Sequence, residues 1–573
     1  MKRLFALGLA LALPNAAYAG GGPLNVLVIY SADDSDATDV ANYYATARSI
    51  PASHLCGLPG FLPETTSIDA IAFTDSVLAP VDACLASLPE PDEIDYLVLV
   101  RGLPYVVNVA SYPVSLEAAL QVGHATTSAG EEIAGGPQPG VNASIPNPAF
   151  KGGFFNTADS TVANQYSAWY GNASSIIRQA EQQPSYKRKL VEDFSGFGFA
   201  GQPFIVQSLD GFDYDDARDL VDRSVASDGS MPTAEIMCMR GEDDARAARD
   251  PECELVTRML AGAGFNGVWV DAFDGALAGH NLMGYFTGSS DSVKNAIAGN
   301  EFAKGALTDN LTSYGAVPNN FFCNDDGSVC PASESQTSCA RFVRAGATGA
   351  HGTAVEPFNN VFPNAGAFLH YTFGYSMGEA YFFNQRFLYW ENVHLGDPLA
   401  TPYAVRPDVS IIADQSGITV HAEHTDGIAH VALFLDGVRI GEADGADLEV
   451  EAPGREGDEL DLIAVAVANN APTTRTGWPE EMQAPQPDVQ GWLAAKITLA
   501  PPVDPAGGNG AGAGNAGGSA AEGGSATEDG DSDDGCGCVV VARTPSSGAL
   551  SALAIALLAS TRRRPRKPLH HRP

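Results

Sequence analysis

Basic residues are scarce in this sequence of 573 residues. Lys and Arg number 32 against 69 Asp and Glu, which gives a formal net charge of −37. A chain this acidic repels nucleic acid phosphates and offers no basic stripe for their backbone, so nucleic acid binding is excluded. The acidic excess would attract divalent cations weakly, but the sequence contains no twelve-residue calcium loop, and we interpret the charge as solvation.

Sequence motifs for cofactors and metals are also missing. The chain has no dinucleotide fingerprint, no Walker loop and no His-Glu-x-x-His sequence. Such motifs supply the backbone cradle for phosphates or the paired ligands for zinc. We therefore predict no cofactor and no metal.

Cysteine is rare as well, with nine residues in the chain. The N-terminal sequence indicates the compartment in which these cysteines are found. Residues 1–19 combine basic residues, an apolar run over residues 4–13 and small residues at Ala17 and Ala19. This pattern predicts a signal peptide, recognised by the export machinery and cleaved there. Disulfides form in oxidising compartments, and the spacing favours Cys56 with Cys84, Cys238 with Cys253, and two of Cys323, Cys330 and Cys339.

What the sequence does contain is an alternation of apolar strands and amphipathic helices. Residues 24–30 and 96–100 are apolar on both faces, as strands of a parallel sheet covered by helices must be. We therefore predict an α/β domain over residues 20–405, with a mostly parallel sheet flanked by helices. An irregular insertion, rich in Gly, Pro, Asn and Ser, interrupts it at about residues 123–201.

The pattern changes after residue 405. Residues 406–500 alternate apolar with polar residues, and Asp436-Gly437 is a hairpin-type turn, so we predict a small β-sandwich. Residues 501–535 are rich in Gly, Ala, Ser and Asp and are predicted to be a low-complexity linker.

The last segment, residues 536–573, begins with Cys536-Gly537-Cys538 and continues with a short apolar run and an arginine-rich end. The apolar run over residues 548–560 is shorter than the roughly 20 residues of a comfortable membrane span. This segment resembles the myxobacterial C-terminal sorting signal built on a CGC motif. The resemblance implies a helix transiently in the membrane, its removal by a membrane-embedded sorting peptidase, and anchoring at the outer-membrane surface through Cys536 or Cys538. An ordinary single-span anchor is the alternative.

The likeliest place for chemistry is the stretch 345–403, which combines glycines, a histidine and carboxylates. If the protein is a hydrolase, His351 would be the general base acting on water or on Ser289, with Asp291 or Glu356 orienting it. His351, Glu356 and Asp397 could instead hold a metal, but no ligand spacing supports that. The structural alternative is that the glycines relieve crowding and the carboxylates cap helices.

Several motifs of the α/β region carry a further resemblance: residues 25–51, 95–104, 284–291, 345–357 and 395–403. They resemble a widespread, uncharacterised family of secreted bacterial proteins found with exosortase-type sorting systems. That family implies an Arg where Ser208 stands and an Asn where Ser290 stands, so this member would be altered there.

More distantly, the order of these motifs is similar to that of gingipains and other caspase-like peptidases. That family implies a caspase-like fold, a His-Gly after one strand and a nucleophilic Cys after the next. Here Thr287-Gly288 and Gly349-Ala350 occupy those places, so the Cys-His dyad is absent.

These observations favour a surface-displayed, secreted protein that binds a surface polymer or a protein ligand, or serves as a cell-envelope component, without catalysis. A peptidase-like hydrolase that uses His351 and a structural adhesion or coat component are the alternatives. The sequence leaves open whether the chain is an enzyme.

Overall fold

The structure is a computed structural model that describes residues 21–62, 65–109, 112–122, 126–127, 145–147, 199–200, 204–317, 336–357, 359, 362–385, 387–388, 391–414, 416–455, 457–469, 489–499 and 540–543. The chain divides into two compact units. The smaller unit comprises Pro407–Ala468 and Gly491–Arg543, and the larger unit contains the remainder of the chain.

The strands of both units follow one another in this order: β1 Val26–Ser31, β2 Leu55–Leu58, β3 Ser67–Asp69, β4 Tyr96–Val100, β5 Val106–Val109, β6 Tyr112–Ser115, β7 Thr126–Thr127, β8 Ile145–Pro146, β9 Phe199–Ala200, β10 Ile205–Leu209, β11 Glu235–Met239, β12 Gly267–Val270, β13 Asn281–Thr287, β14 Glu301–Asn310, β15 Gly349–Thr353, β16 Phe387–Leu388, β17 Asn392–Leu395, β18 Asp408–Asp414, β19 Gly417–Glu423, β20 Ile428–Leu435, β21 Val438–Asp444, β22 Asp447–Val450, β23 Glu459–Ala468, β24 Gln490–Thr498 and β25 Val540–Arg543.

The described α-helices lie in the larger unit: α1 Ser35–Arg48, α2 Ala70–Phe73, α3 Ala79–Ser87, α4 Leu116–Val122, α5 Tyr214–Ser227, α6 Asp250–Gly262, α7 Ala340–Arg344, α8 Gly366–Thr372 and α9 Met377–Phe382. A π-helical turn, Thr74–Leu78, joins α2 to α3. The resulting run Ala70–Ser87, of mean hydropathy 1.3, is the one described helix that is long and apolar enough to cross a membrane, a criterion that core helices also meet.

The larger unit is built on a ten-stranded sheet in the order β12-β11-β13-β14-β15-β17-β10-β4-β1-β2. The strand pairs of this sheet that do not include β17 are parallel. β17 runs antiparallel to β15 and joins β10 through the single residue pair Leu395 and Ser208. The predicted α/β class with a mostly parallel, helix-flanked sheet is therefore confirmed.

Helices cover both faces of this sheet, which explains its apolar strands. Every residue of β4 is buried, and residues 26–29 of β1 are inaccessible to solvent. The N-cap residue of α1 is Asp34, whose carboxylate accepts hydrogen bonds from the backbone N–H groups of Asp36 and Ala37. The C-cap residue is Ser49, in the left-handed conformation that is typical of this position.

The smaller unit consists of two four-stranded antiparallel sheets, β22-β19-β18-β25 and β21-β20-β23-β24. Burial alternates along β18 and β19, and the inward side chains form a separate apolar core. Asp436 and Gly437 both have positive φ in the turn between β20 and β21, as a two-residue hairpin turn requires. The small all-β module is thus confirmed, and the segment 540–543 adds a strand at its edge.

Two features of the larger unit differ from the sequence expectation. The aromatic-rich sequence 371–390 predicts one helix-like stretch, but it contains the end of α8, the separate helix α9 and strand β16. The break lies at Gly374, whose φ of 99° no helix accommodates. The disulfide predicted between Cys238 and Cys253 is wrong, because both residues are free buried thiols in this structure.

Candidate functional site

His351 lies inside the sheet rather than at its surface. β15 runs between β14 and β17, and the register places Asp309 on one side of His351 and His394 on the other. The His351 ring is 1% exposed, its Nδ1 lies 3.2 Å from Asp309 Oδ1, and its Nε2 lies 3.0 Å from Asn392 Oδ1. Both ring nitrogens therefore have partners within the core.

Asp309 also binds a buried arginine. Arg249 Nη1 lies 2.5 Å from Asp309 Oδ2, and Arg249 donates further hydrogen bonds to the carbonyl oxygens of Thr287 and Pro363. Burial pushes the pKa of Asp309 upward, but Arg249 and His351 outweigh it, so the pKa lies below its usual value. Asp309 is thus held as a carboxylate, and these contacts tie β14 and β15 to the segment that contains Arg249.

A second buried polar chain begins at His394, whose ring centroid is 4.8 Å from that of His351. Glu117 Oε2 accepts the backbone N–H of His394 at 2.8 Å and lies 3.2 Å from its Nδ1. Glu117 Oε1 accepts the Ser208 hydroxyl at 2.6 Å. Burial raises the pKa of Glu117 and lowers that of His394, so the pair favours its neutral forms.

Glu117 and Ser208 also line a crevice at the carboxyl ends of β4 and β10. Its cavity volume is about 20 Å³, room for about one water molecule. The Asp210 carboxylate in its wall accepts hydrogen bonds from Arg101 at 2.7 Å and from the Tyr105 hydroxyl at 2.6 Å. The other lining residues are Leu99, Val100, Leu103, Pro104, Leu116 and Val393. Carboxyl ends of parallel strands are where α/β sheets bind ligands, which makes this crevice the candidate site.

Ser289 and Asp291 lie in the turn after β13, where Ser289 exchanges hydrogen bonds with the side chain of Asn310. Ser289 Oγ lies 3.2 Å from Glu242 Oε2, which also accepts the backbone N–H of Ser290 at 2.8 Å. Asp291 forms an ion pair of 3.1 Å with Lys294. Burial pushes the pKa of Glu242 upward, but the hydrogen bonds from the turn together outweigh it and lower that pKa below its usual value. Within the described residues, His351 makes its hydrogen bonds to Asp309 and Asn392, and neither Ser289 nor Asp291 is among them.

Glu356 and Asp397 also belong to different places. Glu356 is exposed after β15 and accepts the Ser313 hydroxyl at 2.7 Å. Asp397 is buried after β17, where it accepts the Tyr44 hydroxyl and Arg48 Nε, both at 2.7 Å. The set His351, Glu356 and Asp397 is therefore not brought together. The described residues contain no group of three His, Cys, Asp or Glu that could hold a metal ion.

The predicted cysteines divide into three groups. Cys56 and Cys84 form a disulfide that joins β2 to α3. Cys238 on β11 and Cys253 on α6 are hydrogen-bonded thiols, and burial followed by that contact raises the pKa of Cys238, which keeps it protonated. Cys339 is a free buried thiol, which contradicts its pairing with Cys323 or Cys330. Outside the described residues lie Ala17, Ala19, Cys323, Cys330, Cys536, Gly537 and Cys538.

The sequence reasoning missed most residues of the two buried polar chains: Glu117, Arg249, Asp309, Asn392 and His394. One signal was present, because the Thr-Asp-Asn run at 308–310 ends a strand that is otherwise apolar in its second half. An Asp side chain in a buried strand requires a charged or hydrogen-bonding partner.

Comparisons with known proteins give structural neighbours only. No family model and no curated protein matches the chain. It is similar to the complex of Porphyromonas gingivalis RgpB pro- and mature domains (10% identity, 77% of this chain and 96% of that one, TM-score 0.37) and to the Arg specific cysteine proteinase gingipain R (10%, 77% and 95%, 0.36). A third neighbour is titled "Structure of Protease" (10%, 83% and 98%, 0.36). At such identities and scores the likeness supports no conclusion about activity.

Proposed function

We propose that this chain is an exported protein, displayed at the bacterial cell surface, that binds a surface polymer or protein ligand without catalysing a reaction. The observation that supports this best is the environment of His351. A general base needs a free ring nitrogen within reach of the proton it removes. Both nitrogens of His351 are instead engaged by Asp309 and Asn392 in the core.

The crevice beside Glu117 is the proposed binding place. It combines apolar walls with a small number of polar groups, the usual composition of a ligand site. Its volume accepts only a small group, so the ligand would insert one side chain or substituent and rest the remainder on the surrounding surface. The Asp210 carboxylate favours a group that donates hydrogen bonds and disfavours an anion, whereas the neutral form of Glu117 adds no charge.

Turnover is the first test. The full-length chain and a His351→Gln variant are screened against peptide, ester and glycan substrate pools, with circular dichroism as the check on folding. We expect no turnover from either protein. Turnover by the native chain that disappears in a folded His351→Gln variant would overturn the proposal and establish the hydrolase alternative.

Binding is the second test. The full-length chain is applied to arrayed bacterial surface polysaccharides and to a peptide array, beside a Leu103→Trp variant that fills the crevice and a Tyr43→Phe control on the exposed face of α1. We expect a ligand that the control retains and the Leu103→Trp variant loses. No ligand on either array, with all proteins folded, would favour a structural adhesion or coat component.

A further inference from the structure

Two carboxyl groups outside the crevice lie at one end of the β15–β17 pair. Glu391 directly precedes β17, and Glu356 follows β15 by three residues. The two segments are adjacent, since the backbone N–H of Ala354 donates to the carbonyl oxygen of Glu391 at 2.8 Å. This site is independent of the crevice and of its ligand.

Glu391 is unusual because one oxygen of its buried carboxyl group has no partner among the described residues. The residue is 4% exposed, and its Oε2 atom has no hydrogen-bond partner among the described residues. Burial first, and the charge of Glu356 second, raise the pKa of Glu391 to about 8. In the described part of the chain, no basic side chain contributes to that shift. Burying a carboxyl oxygen that has no hydrogen-bond donor and lies near a second carboxylate costs free energy, unless a cation or a proton binds there.

The surrounding groups indicate the kind of cation. Glu356 accepts hydrogen bonds from the hydroxyls of Ser313 and Tyr314, so its described partners are themselves oxygen ligands. Carboxylate, hydroxyl, carbonyl and water oxygens suit calcium, whereas zinc prefers imidazole and thiolate ligands. With two carboxylates, the remaining ligands would be water and neutral oxygens, and sites of low ligand charge bind calcium at about 0.1–1 mM.

We propose that Glu391 and Glu356 together bind a calcium ion. The ion bridges Glu391, directly before β17, and Glu356, three residues after β15. The site would therefore hold together two segments that belong to strands far apart in sequence.

Titration of the full-length chain with calcium chloride at pH 7 and pH 9, followed by calorimetry, tests this. We expect saturable binding at both pH values, with a dissociation constant of about 0.1–1 mM. Glu391→Gln and Glu356→Gln should each abolish binding. Glu301→Gln, an exposed carboxylate at the start of β14, should retain it.

The outcomes separate a cation site from a protonated acid. Saturable binding that both variants lose and the control keeps supports the site. No calcium binding at either pH, or binding that survives both substitutions, overturns it and leaves a proton as the only partner of Glu391. Magnesium chloride serves as a comparison, and equal affinity for the two ions would also contradict a site with the loose geometry of calcium.

Discussion

The contact between Arg249 and Asp309 shows most clearly how single residues organise this protein. Both side chains are buried, and Asp309 is also the partner of His351. Charged groups in such surroundings are tolerated only when every charge and hydrogen-bonding group is matched. His351 is best explained as one part of this arrangement.

The first prediction concerns that pair. Asp309→Asn leaves the Arg249 guanidinium buried without a countercharge, and we expect it to lower the free energy of unfolding by about 3–5 kcal/mol. Denaturant unfolding of the α/β unit measures the change. Asp291→Asn, which breaks a partly exposed ion pair with Lys294, should cost about 0–1 kcal/mol. Equal effects of the two substitutions would show that the buried pair has no special role.

The second prediction uses the pKa of Glu391. Its folded pKa of about 8 exceeds the ordinary unfolded value, so the folded state binds more protons in the window between them. Wild-type stability should fall as pH rises through this window and level off above pH 8. Glu391→Gln removes this penalty. With a chelator present, the free energy of unfolding of the variant should equal that of the wild type near pH 4 and exceed it by a growing amount up to pH 8. A difference independent of pH would contradict the shifted pKa.

At the scale of elements, helix α9 depends on its first residue. Ser376 Oγ accepts the backbone N–H of Glu379 at 3.3 Å, and Glu379 Oε2 accepts the backbone N–H of Ser376 at 2.9 Å. This capping box restarts the chain as a helix after the turn at Gly374. Its partners are buried, so water cannot replace them.

The third prediction follows from this cap. Ser376→Ala should destabilise the α/β unit by about 1–2 kcal/mol, because the buried backbone N–H of Glu379 loses its acceptor, whereas the Glu379 carboxylate keeps the backbone N–H of residue 376. Ser87→Ala is the control, since its hydroxyl is exposed and bonds only to the carbonyl oxygen of Cys84. Thermal unfolding of both variants measures the difference. A Ser376→Ala variant as stable as the control would show that packing alone holds α9.

The elements that sequence reasoning found and missed differ in a physical way. β1 and β4 were predicted within two residues because they are apolar on both faces. β17, with the sequence Asn-Val-His-Leu, has no such pattern. Its His394 is tolerated in the core because Glu117 is its hydrogen-bonding partner. Glu117 and His394 are 277 positions apart, and Asp309 and His351 are 42 apart. No local spacing reveals contacts that only the sheet order creates, so His351 was found without its partners.

At the scale of the whole molecule, the proposed display at the cell surface depends on segments near both ends of the chain. The proposed route combines the signal peptide, the linker and the C-terminal segment with Cys536 and Cys538. Its apolar run is short for a span, and its arginine-rich end would stay on the cytoplasmic side. These features suit a segment that is held in the membrane and then cut.

The last prediction tests this route in a host that carries the sorting peptidase. A Cys536→Ser, Cys538→Ser double variant should accumulate as the full-length chain in the inner membrane, because neither the cut nor the anchor can form. The native chain should reach the outer membrane without its arginine-rich end, as mass spectrometry of C-terminal peptides would reveal. Cys339→Ser, in the α/β unit, controls for loss of a cysteine as such. Display of the double variant with its C-terminus intact would instead identify an ordinary single-span anchor, since such an anchor needs neither cysteine.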